Sequence, residues 1–349
     1  MKLKKTTVGI ICGGRSLEHS FSIVSAKNIY IHLHNHYNII ILCIDDTGHW
    51  HYGKVKNILH GDSLLEATFD WNKTPIVHIC KNGKLLTNDG DGKTDAVDSV
   101  DVVFPITNGI DGHQGAIPGM MKLLDIPCVG SDVFETVVCI DKEITKSLLE
   151  NNTLPVVPYL VGRSLEDHSF EKVSNQLGLP FFVKPCRMSS SAGVNKVNNE
   201  LEYKKAVAQA LELDDKFLLE IAIFGRELES AIIGNSTPIV SEILGEVICD
   251  DFYSYDTKYQ STSTSKAILP APLESHIKDQ IISYSQKAYK VLGCKGYARI
   301  DFFLDKENKI YINEATTLPL FTGISMFPKL WEDKIEETIC SLVEMSFEK

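Results

Sequence analysis

Ile300-Asp301-Phe302-Phe303-Leu304 and Lys309-Ile310-Tyr311-Ile312-Asn313-Glu314-Ala315, separated by Asp305-Lys306-Glu307-Asn308, read as two strands and a turn. An antiparallel hairpin is the simplest arrangement. With Glu307-Asn308 as a two-residue tip, Arg299 faces Thr316, Asp301 faces Glu314 and Phe303 faces Ile312. Period-two alternation puts these pairs on one face. Two carboxylates then meet head on, and like charges about 5 Å apart repel by roughly 3 kcal/mol at an effective dielectric near ~20. A hard cation on oxygen ligands, with Arg299 and Thr316 as neighbours, relieves that repulsion, and Mg²⁺ bridging a nucleotide phosphate is the usual case. The alternative is a solvated hairpin face, against which Phe303 and Ile312 argue for burial.

The chain has 349 residues, 44% hydrophobic and 23% charged, so it expects two or three α/β-sized domains with ordinary cores. Its formal net charge is -11, from 46 acidic against 35 basic residues, which repels nucleic acid and anionic lipid. A polyphosphate ligand therefore needs locally gathered cations. Nine cysteines form no C-x-x-C pair and sit mostly in apolar runs, as expected of free thiols in a reducing cytoplasm. Lys2, Lys4 and Lys5 before Val8-Gly9-Ile10-Ile11-Cys12 mimic a signal start, but Gly13-Gly14-Arg15 ends the apolar run. No stretch approaches the roughly 18 apolar residues of a membrane span.

Short apolar strands alternate with helix-length amphipathic segments, an α/β pattern. Thr7 to Cys12, Phe21 to Leu33 and Tyr37 to Ile44 open as a βαβ unit, and Val100 to Ile106 adds a strand. The His-rich run from Asp46 to Asp101 is less clear. Gly130-Ser131-Asp132 breaks the pattern, giving an N-terminal Rossmann-like domain over 1–131. A central segment, 132–225, holds a helix from Lys142 to Asn151, strands at Val156 to Leu160, Phe181 to Lys184 and Phe217 to Glu220, and a helix from Glu200 to Leu211. The last segment, 226–349, holds a strand from Glu227 to Ile233, a polar loop from Cys249 to Ser265, a helix from Leu273 to Leu292, the hairpin and a closing helix.

Four clusters outside the hairpin carry chemistry. Gly13-Gly14-Arg15-Ser16 frees backbone N–H groups between a strand and a helix, and Glu18 at its mouth can hold an ammonium or act as an N-terminal helix charge. Lys184 ends a strand before Ser189-Ser190-Ser191-Ala192-Gly193, where small residues leave N–H groups open to phosphate oxygens; a serine-rich surface turn is the alternative. Lys142 is a candidate second phosphate lysine. Glu220 and Glu227 bracket a Gly225-Arg226 turn and can accept from an adenine amine and ribose hydroxyls, or be ordinary strand-end charges. Phe252-Tyr253-Ser254-Tyr255-Asp256-Thr257-Lys258-Tyr259 reads as a lid. The alternating histidines His32, His34 and His36, and His49 and His51, lack partners at zinc spacing, and no G-x-S-x-G occurs.

Taken in order, Gly13-Gly14-x-Ser16-x-Glu18-His19, Val183-Lys184-Pro185 with Ser190-Ser191, Glu220 with Gly225-Arg226-Glu227, Tyr255-x-x-Lys258-Tyr259, Arg299-x-Asp301 and Glu314-x-x-Thr317-x-Pro319 resemble the ATP-grasp D-alanine–D-alanine ligases over nearly the whole chain. The resemblance implies a three-domain ATP-grasp fold, with ATP between the central and C-terminal domains. It puts Lys142, Lys184, Ser191 and Lys258 among the ATP contacts, Glu220 and Glu227 near adenine and ribose, and Asp301, Glu314 and Thr316 on Mg²⁺ or Mn²⁺. One D-alanine carboxylate would attack the γ-phosphate, and the amine of a second would displace phosphate from the acyl phosphate, with Arg299 on the oxyanion. Glu18 would bind the first ammonium and link through Ser190 to Tyr259, while Ser325 meets the second carboxylate and the Lys258-Tyr259 lid excludes water. A cytoplasmic homodimer making peptidoglycan precursors is implied.

Several positions depart from the family pattern. Glu-x-Asn reads Glu314-Ala315-Thr316, so the third metal ligand becomes a neutral hydroxyl, and Pro-Gly reads Pro319-Leu320. The N-terminal loop has Asn108-Gly109 and Gly112-His113-Gln114-Gly115, and Arg-Glu-Gly-Ser-Ser reads Arg187-Met188-Ser189-Ser190-Ser191. Three readings follow: a D-alanine–D-alanine ligase, a ligase for another carboxylate and amine such as D-alanine with D-serine, or a non-catalytic nucleotide-binding homologue.

Overall fold

The Val8–Cys12 run is entirely apolar apart from Gly9, as a strand buried on both faces of a parallel sheet must be. In the computed structural model, which describes residues 5–54, 59–60, 66–88, 94–248 and 266–348, strand Thr7–Gly13 pairs in parallel with Asn38–Ile44 on one side and Val102–Pro105 on the other. Trp50–Gly53 adds an antiparallel edge. Helix His19–Leu33 covers one face. The run left open in the sequence forms a three-stranded antiparallel sheet of Val77–Ile79, Lys84–Asn88 and Thr94–Ser99, and a small pair of Leu59–His60 with Thr68–Phe69.

A second sheet, wholly antiparallel, runs in the order Tyr159–Gly162, Phe217–Ile221, Phe181–Pro185, Asn195–Val197. The first of these strands lies later than the expected Val156 to Leu160, because Val156 and Val157 are buried ahead of it, Val156 bridging to Ile312. The third sheet runs Lys266–Ile268, Gly245–Ile248, Gly225–Ile233, Tyr297–Asp305, Ile310–Thr316, with Ile239–Val240 also on the Gly225–Ile233 strand. A helix at Val133–Ile140, to which the sequence reading assigned no element, precedes Lys142–Asn151; Asp132 caps it by accepting from the Val133 N–H.

The hairpin is present, with one correction. Arg299 pairs with Thr316 and Asp301 with Glu314, but a bulge between Asp301 and Phe302 then pairs Phe302, not Phe303, with Ile312. Phe303 pairs with Tyr311. The cause is the tip: the Asp305 N–H donates to the Lys309 carbonyl, leaving Lys306-Glu307-Asn308 as the loop, with Asn308 left-handed at φ 62°. The loop is one residue longer than expected, and a bulge at Asn313 absorbs the offset. Ile300, Phe302, Leu304, Ile310, Ile312 and Ala315 therefore form the core face. Arg299, Asp301, Glu314 and Thr316 lie on the other face, with the Phe303–Tyr311 pair beyond them toward the tip.

Candidate functional site

Glu18, Lys142, Ser190, Arg299, Glu314 and Ser325, which come from all three sheet regions, line one cavity of about 530 Å³. Thr316 lines it as well. On the N-terminal side the chain must turn sharply after its first strand. Gly13 has φ 80°, and a Cβ there would stand 2.1 Å from the Ile44 carbonyl oxygen, so only glycine fits. The Gly13 N–H donates to Ser22 Oγ, which donates to the Ile106 carbonyl, so the turn is tied to its helix and neighbouring strand. Glu18 is buried at the entry to that helix and accepts from Ser190 Oγ at 2.5 Å and Ser189 Oγ at 3.3 Å. Ser190 and Ser191 are both left-handed, at φ 55° and 59°, strain that tertiary contacts such as the Glu18 bond must hold.

On the opposite wall, the other carboxylate of the sequence pattern is joined by one it missed. Arg299 donates from Nε and Nη2 to the two Asp301 oxygens at 2.7 and 2.6 Å, and its Nε stands 3.0 Å from Glu229. Glu229 is the register partner of Asp301 on the next strand, and alternation from Glu227 was the signal that could have found it. Burial disfavours the Arg299 guanidinium, but Asp301 and Glu229 more than offset this and hold its pKa well above the ordinary value. Part of the carboxylate repulsion read from the hairpin is thus met by Arg299 itself. Lys142 Nζ donates to the Met188 carbonyl at 2.6 Å and lies 3.9 Å from Glu314.

Asp301 on one strand of the hairpin and Glu314 and Thr316 on the other offer hard oxygens on one sheet face, a donor set that fits Mg²⁺. Among the described residues, however, no group of three or more histidine, cysteine, aspartate or glutamate side chains stands at metal spacing. Both Asp301 oxygens are engaged by Arg299. A metal there would share Asp301 with the guanidinium.

Lys184 and Glu220 do not reach the cavity; they meet each other. Lys184 Nζ is 2.5 Å from one Glu220 oxygen, and Lys146 Nζ is 3.0 Å from the other. Burial pushes the Glu220 carboxyl up, and the charges of Lys146 and Lys184 more than reverse this, so its pKa lies below the usual carboxylate range. Glu227, on the strand bordering this region, pairs in register with Val247 and Phe303. Lys258 and Tyr259, with the whole expected lid from Cys249 to Ser265, lie outside the described residues.

The segment from Leu318 to Phe321 is fastened to helix His19–Leu33 and to the loop after strand Val102–Pro105. The Phe321 N–H donates to Ser25 Oγ at 3.0 Å, its carbonyl accepts from Asn28 Nδ2 at 2.8 Å, and the Leu318 carbonyl accepts from Asn108 Nδ2 at 3.3 Å. Ser325 Oγ accepts from the Thr322 N–H at 3.2 Å, holding it on the cavity wall. His113 is buried and also lines the cavity, its Nδ1 accepting from the Gly109 N–H at 3.1 Å, and burial lowers its pKa from the ordinary histidine value. Among the described residues all cysteines are free, as expected. No helix among them is long and apolar enough to cross a membrane.

Residues 7–131 match the model of the D-ala D-ala ligase N-terminus, and residues 148–342 that of the D-ala D-ala ligase C-terminus. The chain is 39% identical to D-alanine–D-alanine ligase A of Escherichia coli strain K12, covering 99% of this chain and 97% of that one. The D-alanine–D-alanine ligase structure from Coxiella burnetii superposes with a TM-score of 0.82 at 30% identity, over 99% of this chain and 96% of that one. The VanG D-Ala:D-Ser ligase of Enterococcus faecalis reaches the same TM-score at 25% identity, over 98% and 100%. Three larger sheets whose connections gather around one charged cavity, in a chain matched over 98% to 99% of its length by these relatives, mean that the chain belongs to the D-alanine–D-alanine ligase family.

Proposed function

We propose that this chain joins two D-alanines into D-alanyl-D-alanine through an acyl phosphate, converting ATP to ADP and phosphate, in the supply of peptidoglycan precursors. The observation that carries this reading is the gathering of Glu18, Ser190, Lys142, Arg299, Glu314 and Ser325 around one cavity in a chain of this family. Glu18 holds the ammonium of the first D-alanine, steadied by Ser190. A carboxylate oxygen of that D-alanine attacks the γ-phosphorus, the bond from the γ-phosphorus to the β,γ-bridging oxygen breaks, and ADP leaves D-alanyl phosphate behind. Lys142 and Lys184 then balance phosphate charge, Ser191 offers its backbone, and Glu220 and Glu227 border the base and sugar. A bound Mg²⁺ or Mn²⁺ on Asp301, Glu314 and Thr316 would neutralise phosphate oxygens.

The second D-alanine, its carboxylate at Ser325, attacks the acyl carbon with its free amine, and the tetrahedral intermediate expels phosphate as the amine proton leaves. Arg299 faces the oxyanion. Its Nε and Nη2 are engaged by Asp301 and Glu229, so Nη1 is the donor for that oxygen. Fixed by two carboxylates, the guanidinium needs little reorganisation as charge develops. Lys258 and Tyr259 would close the cavity against water. The chain would divide into units at 1–131, 132–225 and 226–349 and act as a cytoplasmic homodimer.

Phosphate release from ATP with Mg²⁺ is measured with D-alanine, then D-serine, D-lactate and L-amino acids, and products are identified by mass. Release requiring D-alanine and yielding its dipeptide supports the proposal. Asn108 and His113, which depart from the family pattern and line the cavity, favour D-alanyl-D-serine as the alternative product. ATP binding without turnover of any pair would mark a non-catalytic homologue.

A further inference from the structure

Lys146 does not line the cavity and has no part in the reaction as proposed, yet it is the most deeply buried lysine at the site. It lies four residues after Lys142 on helix Lys142–Asn151. Residues four apart share a helix face, so where Lys142 reaches the cavity, Lys146 points one turn deeper along the same side. Its side chain is 1% exposed, as is that of Glu220, which it meets at 3.0 Å. The ring of Tyr159, the register partner of Glu220 on the neighbouring strand, stands 5.8 Å from Lys146 Nζ. Lys184 takes the other Glu220 oxygen but is 11% exposed, one residue from the end of its strand, and Met188, Ser189 and Ser190 beyond that end line the cavity.

One buried carboxylate thus holds two ammonium groups. A fully buried charge is tolerated only with a partner, and stripping that partner away is strongly unfavourable. If Glu220 had Lys184 alone, a phosphate could draw Lys184 off only by stranding the carboxylate. With Lys146 in place, the Glu220–Lys146 pair stays neutral when Lys184 departs. Burial pushes the Lys146 ammonium down, against the pull of Glu220. It has no reason to be buried there except as that counter-ion.

We infer that Lys146 is a positioning residue for the nucleotide: it is the permanent counter-ion of Glu220, which frees Lys184 to exchange Glu220 for a phosphate oxygen. The inference rests on the reading of Lys184 as a phosphate lysine. Lys146 itself touches no substrate.

The test is steady-state kinetics of the full chain carrying Lys146→Met, with ATP and D-alanine varied separately, beside its melting temperature. The KM for ATP should rise about tenfold, the loss of one charged partner, with that for D-alanine unchanged, and Lys146→Arg should restore it. A folded Lys146→Met with an unaltered KM for ATP, or with both constants raised equally, overturns the inference. Should Lys146→Met not fold, Lys146→Met with Glu220→Gln is compared with Glu220→Gln alone. Because Lys146 acts only through Glu220, the two should agree within about threefold, and a larger difference overturns the inference. Lys184→Met separates the levels: if it leaves the KM for ATP unchanged, the phosphate role itself fails; if only Lys146→Met is silent, the counter-ion role alone fails.

Discussion

The central sheet holds one carboxylate between two lysines, whereas the C-terminal sheet holds one arginine between two carboxylates. Glu220 stands between Lys146 and Lys184, and Arg299 between Glu229 and Asp301. Each motif is buried, and each leaves a surplus of one sign among its own members. The difference teaches where ligand charge belongs: the lysine-rich group matches the proposed phosphates, and the carboxylate-rich one matches a metal cation and a firmly held guanidinium. A cluster kept merely for stability would gain by balancing its charges.

Removing charge from either group breaks the comparison. On the carboxylate side, Glu314 stands opposite Asp301 and adds to the field on Arg299; Glu314→Gln should lower kcat by about a hundredfold to a thousandfold, the scale of losing one electrostatic contact to the transition state, with the fold intact by circular dichroism. On the lysine side, Lys184→Met should raise the KM for ATP by roughly thirtyfold, about 2 kcal/mol for one charge-assisted hydrogen bond, while the KM for D-alanine stays constant. A change of equal size in both constants would dissolve the distinction between the clusters.

A control pair sharpens it. Arg187 donates to Asp214, and the Asp214 side chain is 3% exposed. Burial pushes that carboxyl up, but the hydrogen bonds and charge of Arg187 more than reverse this and hold it below its ordinary value. A depressed carboxyl contributes stability above the unfolded pKa near ~4 and loses it as pH falls through the folded value. Asp214→Asn should therefore lower unfolding stability by about 1–3 kcal/mol at neutral pH. The difference from wild type in urea should shrink as pH falls from 6 toward 3, with ATP kinetics unchanged. The smallest effect is expected at Thr316→Asn, which adds a carbonyl ligand: turnover should rise by about twofold to threefold or depend more strongly on Mg²⁺. No change in either would remove position 316 from the metal site.

Much of this was legible in the sequence where a short period carried it. Asp301 opposite Glu314 follows from strand alternation, which the charged face obeys. Below that pair alternation failed, because nothing in the composition of Asp305-Lys306-Glu307-Asn308 distinguishes a two-residue from a three-residue loop, and the bulge at Asn313 corrects the register only in space. Lys142 was chosen and Lys146 overlooked because a lysine within a helix reads as solvated; the partner that buries it is 74 residues away, at Glu220. The bond of Ser190 to Glu18 spans 172 residues, and only the family pattern pointed to it. Val133–Ile140 was missed because Gly130-Ser131-Asp132 was read as a break between domains, whereas Asp132 is the cap that starts this helix.

The most direct measurement is the mass of the product formed from ATP, Mg²⁺ and D-alanine by the unaltered chain and by Glu314→Gln side by side. D-alanyl-D-alanine from the unaltered chain, and almost none from a folded Glu314→Gln, is the predicted result. No dipeptide from the unaltered chain, or the same yield from both, would contradict a D-alanine ligase site built on the carboxylate face of the hairpin.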